Sequence, residues 1–192
     1  MAKKRAIIGF SGIHLAPIKT NTDKEYTTEA GFPLPHAGSM SRTVKESSSE
    51  IYYDDVLYAD VKEALGEEVE IKIGEAPIEI LTKLGVGEDK NGALECDLNI
   101  TPKDYSLRCK ADTVSKHPFY FKWRMFTLNS VRIDNLQTKG NGAQVAEVVL
   151  KGTITQPARI DVKAWALMEL ADDKSNETAC NKFLADAETM AV

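Results

Sequence analysis

The sequence predicts a mainly β protein, a β-sandwich or open barrel with one internal α-helix and a long polar arm. Three observations carry this. In Glu68 to Ile73, Val69, Ile71 and Ile73 take one side and Glu68, Glu70 and Lys72 the other, the period of a half-buried strand. Asn91-Gly92 precedes a second alternating run and Asn141-Gly142 precedes another strand-like run, and Asn-Gly is a strong hairpin signal. About eight strand-like runs stand against one convincing internal helix, and such a sheet must bury its apolar side under a second layer. A chain of 192 residues is long enough for one sizeable core.

In chain order, Arg5 to Leu15 reads as a strand softened by Gly9 and Gly12. Residues 16–49 read as an extended loop or arm, rich in Pro, Gly, Ser and Thr. Faint strand signals occur there at Glu25–Thr28 and Ser41–Lys45. Tyr52-Tyr53-Asp54-Asp55 reads as an acidic, aromatic turn. After the strand ending at Ile73 and the stop at Gly74, Pro77 suits the first turn of a helix. Ile78, Leu81 and Leu84 share its apolar side, and Gly85 is placed to cap it. Ala93 to Ile100 alternates, with Leu94, Cys96 and Leu98 opposing Glu95, Asp97 and Asn99. Tyr105 to Ala111 is a further strand.

Phe119 to Leu128 is the most aromatic run. Its alternation puts Phe119, Phe121, Trp123 and Met125 on one face and Tyr120, Lys122, Arg124 and Phe126 on the other, bulk on both, as in a strand covered twice. Val131 to Leu136 continues the sheet, Gln144 to Thr155 returns it, and Ile160, Val162, Ala164 and Ala166 alternate in a last strand. Residues 1–171 are thus expected to form the β domain. Residues 172–192 are expected to form a C-terminal helix, over Asn176 to Thr189, or a docked tail.

Enzymatic constellations are missing from the sequence. His14, His36 and His117 have no metal-ligand spacing, and Cys96, Cys109 and Cys180 form no CxxC pair, as suits reduced thiols. Gly85-Val86-Gly87 follows a helix where a dinucleotide loop requires a strand. The basic, aromatic stretch Lys116 to Arg132 has core spacing rather than that of a nucleic-acid stacking platform. The expectation is a non-enzyme with no cofactor and no metal. No run is long enough to span a membrane, and no export signal follows the basic start.

Net charge is −5, which argues against a basic nucleic-acid surface, and it is unevenly spread. Residues 50–97 hold fourteen acids and four bases, and residues 103–163 hold five acids and eleven bases. Such a chain can present an acidic and a basic face, which favours head-to-tail contact between copies. The alternative is that the segments mix in space.

The order of four segments resembles the major tail proteins of siphophages, the subunits that stack into the tail tube. They are Arg5 to Pro17, Asp54 to Asp60, Ile78 to Gly85 with Asn91-Gly92 after it, and Phe119 to Phe126 leading to Thr138. The likeness spans about residues 5–165 and extends to tube proteins of phage-tail-like bacteriocins. It implies hexameric rings that share a continuous inner β-barrel and stack around a tape-measure protein, with tail-tip and tail-terminator proteins at the ends. DNA would pass through the lumen without specific binding. The location implied is the virion tail, assembled in the host cytoplasm.

A conduit that must not hold DNA wants an acidic or neutral wall. Glu68, Glu70, Lys72, Glu95 and Asp97 are therefore candidates to face the lumen. Asp54, Asp55, Asp60, Tyr26, Arg42 and Lys45 are candidates for subunit contacts. The competing reading is a monomeric β-sandwich that binds carbohydrate or peptide through Tyr52, Tyr53 and Tyr58.

Overall fold

A computed structural model of the chain describes residues 7–53, 56–74, 76–96, 101–134 and 147–191. The elements among them are β1 (Ile7–Asn21), β2 (Glu25–Thr28), β3 (Phe32–Pro33), β4 (Ala37–Tyr53), β5 (Val56–Ile73) and α1 (Ile78–Lys83). Then come β6 (Gly87–Lys90), β7 (Ala93–Cys96), β8 (Lys103–Thr113), β9 (Phe119–Asp134), β10 (Glu147–Ile154), β11 (Trp165–Glu169), α2 (Glu177–Ala185) and β12 (Thr189–Ala191). The protein is mainly β, as expected.

Ten strands form one antiparallel sheet, ordered β12-β2-β1-β8-β9-β10-β5-β4, with β11 added to β9 and β3 to β1; β6 and β7 make a separate hairpin. The sheet curls on itself. Ile13 and Leu15 of β1 share one apolar cluster with Val69, Ile71 and Ile73 of β5, although three strands separate the two in the sheet. Leu81 and Leu84 at the end of α1 plug this cluster. The other face of β9 carries a second cluster, Tyr120 with Leu170, Cys180 and Leu184, under α2. The expectation that β9 is covered on both faces therefore holds.

Two local predictions hold in detail. Asn91 and Gly92 both have positive φ (58° and 83°) and join Lys90 to its partner Ala93, the geometry of a type I′ hairpin turn. Gly85, at φ 77°, ends α1 in a Schellman arrangement: its N–H donates to Thr82, and that of Val86 donates to Leu81.

Other expectations are corrected. Residues 16–49 are not a loop: β1 runs on to Asn21, β2 and β3 follow, and β4 occupies 37–53. Polar strands such as Ser39-Met40-Ser41 lack the apolar alternation that would reveal them, because one side faces water and the ladder alone fixes them. Phe126 lies in the same cluster as Trp123, not on the opposite face. Tyr105 pairs with Phe126 and Leu107 with Trp123, so β9 fits one extra residue there, and this bulge reverses the facing. Ile160 to Ala164 is not strand. Ile160 is 92% exposed, and Arg159 binds Asp161 across a turn before β11 begins at Trp165. The C-terminal helix stops at Ala185, and a short strand on the edge of β2 follows. The Asn141-Gly142 turn lies outside the described residues.

Candidate assembly surface

The lumen candidates on β5 lie on one broad polar face. Register carries Ser41 of β4 across to Glu70, then Lys151, then Ser130; one rung away, Thr43 meets Glu68, Thr153 and Thr127. Val69 and Ile71 between them point into the core. The charges on this face are paired: Lys45 with Glu68 at 2.6 Å, Lys151 with Glu70 at 2.8 Å and Lys72 with Glu147 at 3.8 Å. The hydrogen bond from Lys151 holds the Glu70 carboxyl below its usual range. Thr127 donates to Asp104 at 2.7 Å and Asn129 to Thr153 at 2.9 Å. The result is a four-strand face that is hydrophilic, close to neutral and self-satisfied. Glu95 is elsewhere, on β7 in the separate hairpin and bound to Lys90 at 2.5 Å. Asp97 lies outside the described residues.

From this face projects the longest element of the protein. β10 pairs with β5 only from Glu67 to Ile73. Beyond that point β4 and β5 continue as a two-stranded hairpin, from the pair Glu46–Ala64 to the pair Tyr53–Val56. Among the described residues no third strand pairs with this distal half, which is about 25 Å long at roughly 3.3 Å per residue. Both of its edges are open, and an isolated two-stranded ribbon is marginal in water.

The remaining contact candidates separate. Asp54 and Asp55 lie outside the described residues, and Asp60 is placed by its backbone alone. Arg42 donates from Nε to Glu67 at 2.7 Å and lies 4.9 Å over the Trp123 ring, at the root of the hairpin. Lys45 is half-exposed beside it. Tyr26 is not a surface residue. It is fully buried, its hydroxyl donates to the Arg124 carbonyl at 2.7 Å, and burial pushes its phenol pKa up. It sits on β2 between β1 and β12, where an alternating strand must turn one side inward.

No protein-family model and no curated protein matches the chain. Among solved structures, a chain of the cryo-EM structure of the anti-feeding prophage (AFP) baseplate, six-fold symmetrised, is similar over 85% of this chain and 95% of its own length, at 8% identity and a TM-score of 0.43. At that level the similarity supports no functional conclusion.

Sequence reasoning missed a buried cationic clamp. Arg108, fully buried, donates to the carbonyls of Leu184 at 3.0 Å and Asp186 at 2.6 Å, and to Thr28 and Ser106. Arg124 donates twice to Glu188 at 3.0 Å, and Lys122 lies 3.5 Å from the other Glu188 oxygen and 4.2 Å over the Phe183 ring. Desolvation lowers the Lys122 pKa to about 8 against the pull of Glu188. These groups hold the C-terminal segment to the back of the sheet. The only hint in the sequence was that Lys122 and Arg124 alternate with aromatics in a strand with bulk on both faces. Among the described residues no cluster of His, Cys, Asp and Glu is placed to hold a metal ion.

Proposed function

We propose that this chain is a non-enzymatic structural subunit of a phage-tail-like particle, a tube protein whose copies form rings and stack. The observation that carries the reading is the β4–β5 hairpin. A ribbon of this length with open edges is a poor free-standing structure and a good connector between copies. Rings in which each copy adds β9, β10, β5 and β4 to a shared barrel would close the open edge of β4 and turn the polar face inward. Glu68, Glu70 and Lys72 would then line the bore. Because Lys45, Lys151 and Glu147 already pair with them, that wall offers passing phosphates few free cations. Six-fold rings, a tape-measure protein inside and tail-tip and terminator proteins at the ends follow from the family resemblance.

Negative-stain electron microscopy of the purified protein over a concentration series tests this. Hollow tubes or stacked rings are expected. A monomer at every concentration, even with tail-tip components added, would refute the assembly reading and favour a binding module.

A further inference from the structure

Residues 185–191 lie along residues 25–31 for their whole length. The Gly31 N–H donates to the Ala185 carbonyl at 2.7 Å and the Thr28 N–H to that of Glu188 at 2.8 Å. β12 then pairs Thr189, Met190 and Ala191 with Thr27, Tyr26 and Glu25. A Cβ at Gly31 would come within 2.8 Å of the Leu184 carbonyl, so glycine lets the two chains close there.

Little of this hold is apolar. Leu184, near the end of α2, is the last buried side chain; beyond it only Glu188 and Met190 are half-buried among the described side chains. The grip is on the main chain. Arg108 donates to the carbonyls of Leu184 and Asp186, and Arg159, fixed by both carboxylate oxygens of Asp161, donates to the Met190 carbonyl at 2.7 Å. Such contacts do not depend on which side chains the segment carries. One contact does: the Glu188 carboxylate, which accepts from Arg124 through one oxygen. Its other oxygen is buried 3.5 Å from Lys122 with no hydrogen-bond partner, so the chain's own segment does not saturate that cationic pocket. Arginines that read carbonyls along an extended strand, with one pocket for a carboxylate at a fixed position, make a peptide-recognition site.

We propose that the edge formed by residues 25–31 is a β-strand-binding groove for an extended peptide carrying one carboxylate. Residues 185–191 are its occupant in cis, a strap that gives way to a strand of the same chemistry supplied by another protein. With the strap out, β2 presents an open edge ready to pair. The groove lies at the other edge of the sheet from β4 and does not depend on the tube reading.

The test uses full-length protein. Glu188→Lys sets a cation against Lys122 and Arg124 and should free the strap, raising amide exchange at Thr28 at least about tenfold while β5 and β10 stay protected. A thermal melt establishes that the variant is folded, and Glu188→Ala, which removes the acid without adding a cation, takes its place if it is not. A fluorescent peptide of residues 185–191 should bind the variant saturably by anisotropy and slow exchange at Thr28 again. The same peptide with Glu188→Gln should bind at least about tenfold more weakly. Wild type should bind far less of either, because its own strap competes at the effective concentration of a tethered segment. A folded variant with raised Thr28 exchange that does not bind the peptide would overturn the proposal, as would equal binding of the two peptides. Unchanged exchange at Thr28 in both variants would overturn it too, since the carboxylate would then not hold the strap.

Discussion

Replacing Arg108 should loosen the C-terminal segment before it unfolds the sheet. The side chain is wholly buried on β8 and its guanidinium makes four hydrogen bonds, two of them to the carbonyls of Leu184 and Asp186. A hydrogen bond from a charged donor contributes about 1.5–3 kcal/mol net. Opposing this, a buried guanidinium costs several kcal/mol to desolvate, and an apolar replacement of similar length recovers that cost. Arg108→Ala loses the bonds and leaves a cavity, so we expect a destabilisation of about 3–5 kcal/mol. Arg108→Met fills the space and should cost less, about 1–3 kcal/mol. Arg108→Lys keeps the charge but loses the fork that reaches two carbonyls at once, and should resemble Met rather than the wild type.

The assay is urea unfolding of the three variants, with amide hydrogen exchange on the native proteins. The clamp predicts where exchange rises: at Thr28, whose N–H donates to the Glu188 carbonyl at 2.8 Å, and along β12, with β5 and β10 unaffected. An Arg108→Met protein within about 0.5 kcal/mol of wild type and with unchanged exchange at Thr28 would refute the clamp. The guanidinium would then offset no more than its own burial.

Three further outcomes are expected from the same packing. Lys122 has a folded-state pKa of about 8, below its unfolded value, so the folded state releases its proton first and Lys122 adds stability as pH rises from about 8 toward 10. Cys109, pushed up to about 12 by burial, acts in the opposite direction over the same range, so the signal is a difference: wild type should gain on Lys122→Met across pH 8–9.5 in urea melts, and parallel curves would contradict it. Gly152→Ala should cost about 1–3 kcal/mol, because the new Cβ would run into the Phe126 ring and the Thr127 carbonyl, and a melt unchanged within error would show that β10 can shift. Thiol titration should find one fast cysteine in the native protein, Cys96, with Cys109 and Cys180 reacting only in denaturant.

What could be read from the sequence divides by range. The type I′ turn at Asn91-Gly92 and the Gly85 cap are set by residues a few positions apart, and both were legible. At β2 only a faint strand signal, at Glu25–Thr28, stood inside a stretch that reads as a loop, and it coincides with the strand residue for residue. The polar half of β4 was not legible, since Ser39, Ser41 and Thr43 owe their place to the ladder with β5. The bulge that turns Phe126 inward is set by the pairing of β8 with β9, which no local pattern records. The clamp is the most remote case. Arg108 meets carbonyls of residues 184 and 186, and a charged residue reads as exposed until the chain that satisfies it is brought against it. The assembly candidates show the same limit: Tyr26 reads as a surface tyrosine in a loop and is a core residue because that loop is a strand.

The uneven charge of the sequence acquires a specific meaning once the partners are placed. An acidic face opposite a basic one is not what the fold builds. The basic strands β8 and β9 spend Arg108, Lys122 and Arg124 on the chain's own C-terminal segment, with Glu188 as the carboxylate between them. Glu67, Glu68 and Glu70 of β5 are met by Arg42, Lys45 and Lys151 of the strands on either side. Among the described residues, much of the charge asymmetry is therefore spent on contacts within one copy.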